Sequence, residues 1–298
     1  MRTDKWMRTH TQSLSGKKIA ITGSTGGLGK EICTYLASLG ASLYLLDRNE
    51  TRSSAHKESI TSRYGVNVRC IPLDLEDILS ADTAASLLIE EGIDVFIHNA
   101  GAYSIPRHIC TTGYENVFQI NFATPYYMIQ RLLPMLRERR GRVVAVGSIA
   151  HNYSKTDEND VDFRTRTASS KVYGNAKRYL MFALHELFRD EREVSLSIVH
   201  PGITFTNITA HYPKWIFAII KNPMKVIFMK PARAALSVVQ GVFASTGYNR
   251  WIGPRWFDVW GLPKDRPLYT CSETERGRMT AIAQQVFTRC ADTVDKSK

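Results

Sequence analysis

The chain predicts a single α/β domain, a doubly wound parallel sheet with helices on both faces. Three observations lead there. Six short apolar runs alternate with segments of helical periodicity. A glycine-rich turn joins the first run to the first such helical segment. The 298 residues, 44% of them hydrophobic, can bury one large core, and no Pro/Gly/Ser-rich linker divides them.

Residues 1–13 are basic and lack the apolar stretch of a secretory signal, which places the protein in the cytoplasm. They form an extension ahead of a domain at 14–298, and Trp6 within them is a candidate aromatic anchor across a seam between subunits. The first strand, Lys18–Ile21, runs into TGSTGGLG at 22–29 and then a helix at Lys30–Leu39, where Ile32, Cys33, Leu36 and Leu39 share a face. Unpaired N–H groups at such a helix start, together with the positive end of its dipole, hold a pyrophosphate. Gly23 permits the tight turn, Gly27 lets a phosphate approach, and Gly29 lets helix and strand pack closely. Thr25 and Leu28 lie in the same turn and join the candidate cofactor contacts.

The second strand, Ala41–Leu46, ends in Asp47, placed to accept from adenosine ribose hydroxyls and so to favour NAD(H). Arg48 beside it could pair with a 2′-phosphate and admit NADP(H). A third run, Val66–Ile71, leads to Asp74 and Leu75. A fourth, Val95–His98, closes in HNAG, where Asn99 can brace neighbouring backbone and Ala100 and Gly101 leave room for adenosine. Asn121 is a polar misfit in the helical pattern Tyr114–Leu133, either a satisfied core amide or the holder of a water chain. Ser148 follows the strand Arg142–Val146, at the carboxyl edge where open α/β sheets bind ligands. Tyr173 and Lys177 are one helical turn apart, so an ammonium can favour the phenolate of a catalytic base. A sixth strand, Ser195–Val199, precedes Pro201–Gly202.

The net charge of +11 raises nucleic acid or an acidic membrane as rival partners. The densest cluster, Arg137–Arg142, instead ends a helix before a strand, where cations meet the negative end of the dipole, so a solvated basic surface is the reading and no nucleic-acid partner is expected. Five scattered cysteines read as reduced thiols, and no Cys/His cluster suggests a metal. The most apolar late segment, Trp215–Met229, is broken by Lys221, Pro223 and Lys225, which argues against integral membrane association.

Over about Leu14 to Met279 the sequence resembles the short-chain dehydrogenase/reductase family. TGSTGGLG matches its T-G-x-x-x-G-x-G turn, HNAG its N-N-A-G motif with His98 for the first asparagine, and Asp74 its adenine-contacting aspartate. Asn121, Ser148, Tyr173 and Lys177 fall on its catalytic tetrad, and Pro201, Gly202, Ile203 and Thr206 on its P-G-x-x-x-T nicotinamide segment. The resemblance implies a Rossmann-like fold, an NAD(P)-dependent oxidoreductase, and a dimer or tetramer. It also implies a substrate lid at about 203–230, here rich in large apolar residues that suit a lipophilic substrate. HPGITFTNIT resembles the same segment of bacterial 20β-hydroxysteroid dehydrogenases, which puts a hydroxysteroid first and a retinoid or other lipophilic carbonyl second. A cofactor-binding regulator without activity is disfavoured because the whole tetrad is retained.

Overall fold

The computed structural model describes residues 3–202, 229–268 and 271–297. After helix α1 (Thr3–His10), β1 (Lys18–Thr22) and α2 (Gly27–Ser38) form the first strand–turn–helix unit. Then come β2 (Ser42–Asp47), α3 (Glu50–Tyr64), β3 (Val68–Pro72), α4 (Ile78–Glu91) and β4 (Val95–His98). A short turn of helix α5 (Asn116–Phe118) passes through a π-helical segment, Gln119–Ala123, into α6 (Thr124–Glu138). The second half holds β5 (Arg142–Val146), a 3-10 turn at Ile149–Tyr153, α7 (Ser169–Leu187), β6 (Ser195–Val199), α8 (Pro231–Phe243), β7 (Arg250–Trp256), β8 (Trp260–Pro267) and α9 (Glu273–Asp295).

The eight strands form one sheet in the order β3-β2-β1-β4-β5-β6-β7-β8, parallel except for the last pair. Connections run one way from β1 to β3 and the other way from β4, so the order reverses beside β1 and a crevice opens there at the carboxyl ends. Each face carries its own core. Residues of α4, α6, α7 and α9 cover one side, with Phe118, Phe122, Tyr179 and Phe182 at its centre. Residues of α2, α3 and α8 cover the other, with Ile19, Ile32, Leu36, Leu45 and Val238 buried. Burial on both faces is why β1, β2, β4 and β5 read as largely continuous apolar runs rather than alternating ones.

Two strands escape the sequence reading, which expects six. β7 and β8 read RWIGPRW and WGLPKDRP, and proline with charge argues against a sheet interior. They are tolerated because β8 is an edge strand and β7 pairs with β6 only at Val199 and Ile252. In the N-terminal arm, Trp6 is 1% exposed and packs against Leu236 and Val239 of α8, so its ring is buried within its own chain. The basic cluster after α6 is spent on local carboxylates: Arg137 meets Glu191 at 2.9 Å, Arg139 meets Asp94 at 3.2 Å and Arg140 meets Glu193 at 3.4 Å.

Candidate active site

The turn between β1 and α2 is held from behind by the β4 end. Asn99 Nδ2 donates to the carbonyls of Thr22 and Gly23 at 3.0 and 3.1 Å, while the Asn99 and Ala100 amides both donate to Thr22 Oγ1 at 3.0 Å. Gly23 has φ +69, and a Cβ there would stand 3.0 Å from the Ala100 Cα. At Gly29 a Cβ would meet the Gly23 carbonyl oxygen at 2.1 Å, so the helix sits on the turn at a distance only glycine allows. Gly26 caps α2 without a side-chain acceptor, which leaves the first N–H groups of the helix to a ligand, and Gly27 at N1 is exposed. His98, in the first position of HNAG, is buried and touches Thr22 Oγ1 through Nδ1 at 3.3 Å. Burial and the nearby Lys177 hold its imidazole neutral, well below its usual range.

Asp47 lies over this turn and is 5% exposed. Its carboxylate accepts from the Thr25 amide and hydroxyl, both at 3.0 Å, from Ser53 Oγ at 3.2 Å, and from Ser24 Oγ. Arg48, next to it, is exposed. Asp74 steadies the loop after β3: its Oδ1 accepts from the Glu76 amide and its amide donates to Ser80 Oγ, both at 3.0 Å. The buried Leu75 carbonyl accepts from Thr124 Oγ1 at 2.8 Å.

Ser148 follows β5; its hydroxyl accepts from the Ala150 amide at 3.2 Å and lies close enough to the Tyr173 phenol to influence its acidity. The Tyr173 side chain keeps partial solvent exposure, but burial around its hydroxyl pushes the phenol up to about 12, against the smaller opposing effect of Ser148. This direction is opposite to the lowering expected from Lys177. Lys177 Nζ stands 5.8 Å from the Tyr173 ring centre and donates to the Val146 carbonyl at 3.0 Å. Burial brings its amine down to about 7. Asn121 lies in the π-helical segment, where its Nδ2 donates to Ala102 and Val117 carbonyls at 2.8 Å. Its buried Oδ1 has no partner among the described residues. A Cβ on Gly101 would come within 2.7 Å of that Oδ1 and 3.6 Å of Lys177 Nζ, so Asn121 and Lys177 converge on one space that glycine keeps open.

Beyond the end of β6, Gly202 has φ +82, with a Cβ position crowded to 2.8 Å by the Val259 carbonyl. Pro201 precedes it, whereas Ile203, Thr206 and nearly all of the lid expected at 203–230 lie outside the described residues. Three side chains that the sequence did not single out frame the site. Tyr103 sets its ring edge-on to Tyr173, centroids 5.5 Å apart. His151 Nδ1 lies 2.6 Å from the Ser148 carbonyl, and Trp251 packs edge-on to His151 and flat on His200. Periodicity has no signal for such cross-element contacts. Among the described residues no group of three or more His, Cys, Asp or Glu is placed to hold a metal.

A strand–glycine turn–helix at a sheet's switch point, facing a Ser–Tyr–Lys–Asn cluster across one crevice, defines a dinucleotide-dependent oxidoreductase of the α/β class. The chain belongs to the short chain dehydrogenase family, whose profile matches residues 17–216. It is an NAD(P)-dependent oxidoreductase of that family. It is similar to an uncharacterized oxidoreductase of Schizosaccharomyces pombe, 29% identical over 260 residues that make up 80% of this chain and 75% of the relative. Mouse retinol dehydrogenase 12 is 31% identical over 67% of this chain and 66% of its own. An uncharacterized Mycobacterium paratuberculosis protein superposes with a TM-score of 0.74 at 23% identity, covering 97% of both chains. The fold also matches Pseudomonas aeruginosa RhlG, solved with NADP, at 24% identity and a TM-score of 0.59 over 78% of this chain and 91% of that one.

Proposed function

We propose that the protein interconverts a secondary alcohol and a ketone on a bulky apolar molecule, with a hydroxysteroid as the first substrate class and NAD(H) as the preferred cofactor. The observation that carries the chemistry is one cluster at the carboxyl edge of β5: Ser148 close to the Tyr173 phenol, Lys177 Nζ 5.8 Å from the Tyr173 ring centre, and the open Asn121 Oδ1 converging with Lys177 on the space at Gly101. The glycine cradle and the free α2 N-terminus fit a dinucleotide, which supplies or takes the hydride when bound. In the reductive direction Tyr173, a neutral phenol, gives its proton to the carbonyl oxygen while Ser148 donates a hydrogen bond to the same atom. An amine poised near neutrality at Lys177 then returns a proton toward Tyr173, along the space it shares with Asn121. Asp47 supports NAD(H), since a buried carboxylate over the turn repels a 2′-phosphate.

A second reading, a retinoid or other lipophilic carbonyl handled with NADP(H), is favoured by the 31% identity to mouse retinol dehydrogenase 12 and by exposed Arg48. The protein works in the cytoplasm as a homo-oligomer, for which light scattering is the check. Absorbance at the reduced-nicotinamide band across steroids, retinoids and small ketones tests the substrate class. Tyr173→Phe should lower turnover by at least about 10²-fold with cofactor affinity nearly intact. Full activity in that variant overturns the mechanism.

A further inference from the structure

Seven large apolar side chains are exposed among the described residues, and three of them fall within five consecutive positions: Trp256 at 58%, Phe257 at 87% and Trp260 at 45%. They form the tip of the β7–β8 hairpin, where Trp256 and Trp260 are cross-strand partners and so lie side by side on one face. The turn between them is built from Phe257 and Asp258 with φ +53 and +57, a left-handed pair that hairpins usually make with Asn-Gly. A phenylalanine held there, and pushed into water, costs stability at both the backbone and the ring. Folding has no use for that choice.

Cations surround the tip. Arg255 lies 5.4 Å from the centre of the Trp256 ring and Arg233 lies 5.8 Å from that of Trp260, while Lys264, further along β8, and Lys230, capping α8, are exposed. None of these four has a carboxylate partner among the described residues, whereas the hairpin's acids are already engaged: Asp258 with Arg266 at 3.4 Å and Asp265 with Arg250 at 3.0 Å. Aromatic rings at a tip with free cations behind them match a lipid–water interface, with rings at headgroup depth and cations against anionic headgroups.

We propose that the β7–β8 hairpin is a peripheral membrane-docking element that seats Trp256, Phe257 and Trp260 in the surface of an anionic bilayer. The composition alone favours a merely solvated basic surface; the structure instead sets three exposed rings beside Arg255 and Lys264 of the hairpin and Arg233 of α8. Its turn is fixed to the rim of the catalytic crevice, because the Asp258 carbonyl contacts His200 Nε2 at 2.9 Å and the Val259 carbonyl abuts Gly202. Docking would therefore face the crevice toward the lipid.

The test is cosedimentation of the full chain with vesicles of phosphatidylcholine alone and of phosphatidylcholine containing about a third phosphatidylserine. The expected result is binding to the anionic vesicles that falls with added salt. Each lost cation should weaken it about fivefold and the lost rings at least about tenfold. Trp256→Ser/Phe257→Ser and, separately, Arg255→Glu/Lys264→Glu should both lose binding while melting no lower than wild type and keeping its cofactor quenching. If the first variant fails to fold, the second, confined to exposed charges, decides. Absence of vesicle binding by wild type, equal binding to neutral vesicles, or unchanged binding by the charge variant overturns the proposal. So does a lipid-free molar mass that drops in the aromatic variant, which assigns the hairpin to a second copy.

Discussion

One chemical change, glycine to alanine, should act with opposite signs at two helical positions of this chain. At Gly277, in the first half of α9, nothing lies within 4 Å of the added Cβ, so the variant gains only the helix preference of alanine. That gain is about 0.8–1 kcal/mol, or roughly 2 °C in melting temperature for a chain of this size. At Gly29, in the first turn of α2, the same preference applies, but the Cβ would stand 2.1 Å from the Gly23 oxygen and 2.9 Å from the Ser24 Cα. Both are backbone atoms of the turn that Asn99 and Thr22 hold in place, so they cannot swing aside as a side chain would. Relief requires the helix and turn to part by about 1 Å, at an overpacking cost of roughly 1–3 kcal/mol or more. Gly29→Ala should therefore melt several degrees lower, and its NADH affinity, read by fluorescence quenching, should fall at least about tenfold as the N–H cradle moves. Gly277→Ala should bind NADH as wild type does. Equal melting temperatures and equal NADH affinity in the two variants would refute the packing reasoning.

Lys177 gives a pH signature. Its folded amine titrates near 7 because of burial, below the 10.5 of an unfolded lysine, so between those values the unfolded chain holds more protons and stability rises with pH. Lys177→Met should flatten that rise in cofactor-free protein and exceed wild-type stability most clearly below pH 7; denaturant melts at several pH values decide. Asp47→Ala should move the kcat/KM ratio toward NADP(H). It should also lower stability by about 1–3 kcal/mol, because Ser24 and Ser53 lose a buried acceptor. A wild type that strongly prefers NADP(H) would give the decisive role to Arg48. Trp6→Ala should destabilise the monomer by about 3 kcal/mol, since its ring fills a groove on α8; an unchanged denaturation midpoint would mean that α1 is only loosely docked.

The fold class and the glycine turn were legible in the sequence because they are local. A continuous apolar run means a strand covered on both faces, and glycine spacing reports where backbone must approach backbone. Tyr173 and Lys177 one turn apart were legible for the same reason, as was Ser148 at a strand end. The β7–β8 hairpin was not legible. Its prolines and charges are acceptable only at a sheet edge, and edge status belongs to the order of strands in space. Nor could the sequence tell that Trp6 packs on α8 of its own chain, that Asn121 lies in a π-helical segment with a free oxygen, or that the Asp47 carboxylate is shared among Ser24, Thr25 and Ser53. The direction of the Tyr173 shift was hidden for that reason: residue spacing reports only that a lysine lies one helical turn away, whereas the desolvation that raises the phenol comes from elements far apart in the chain.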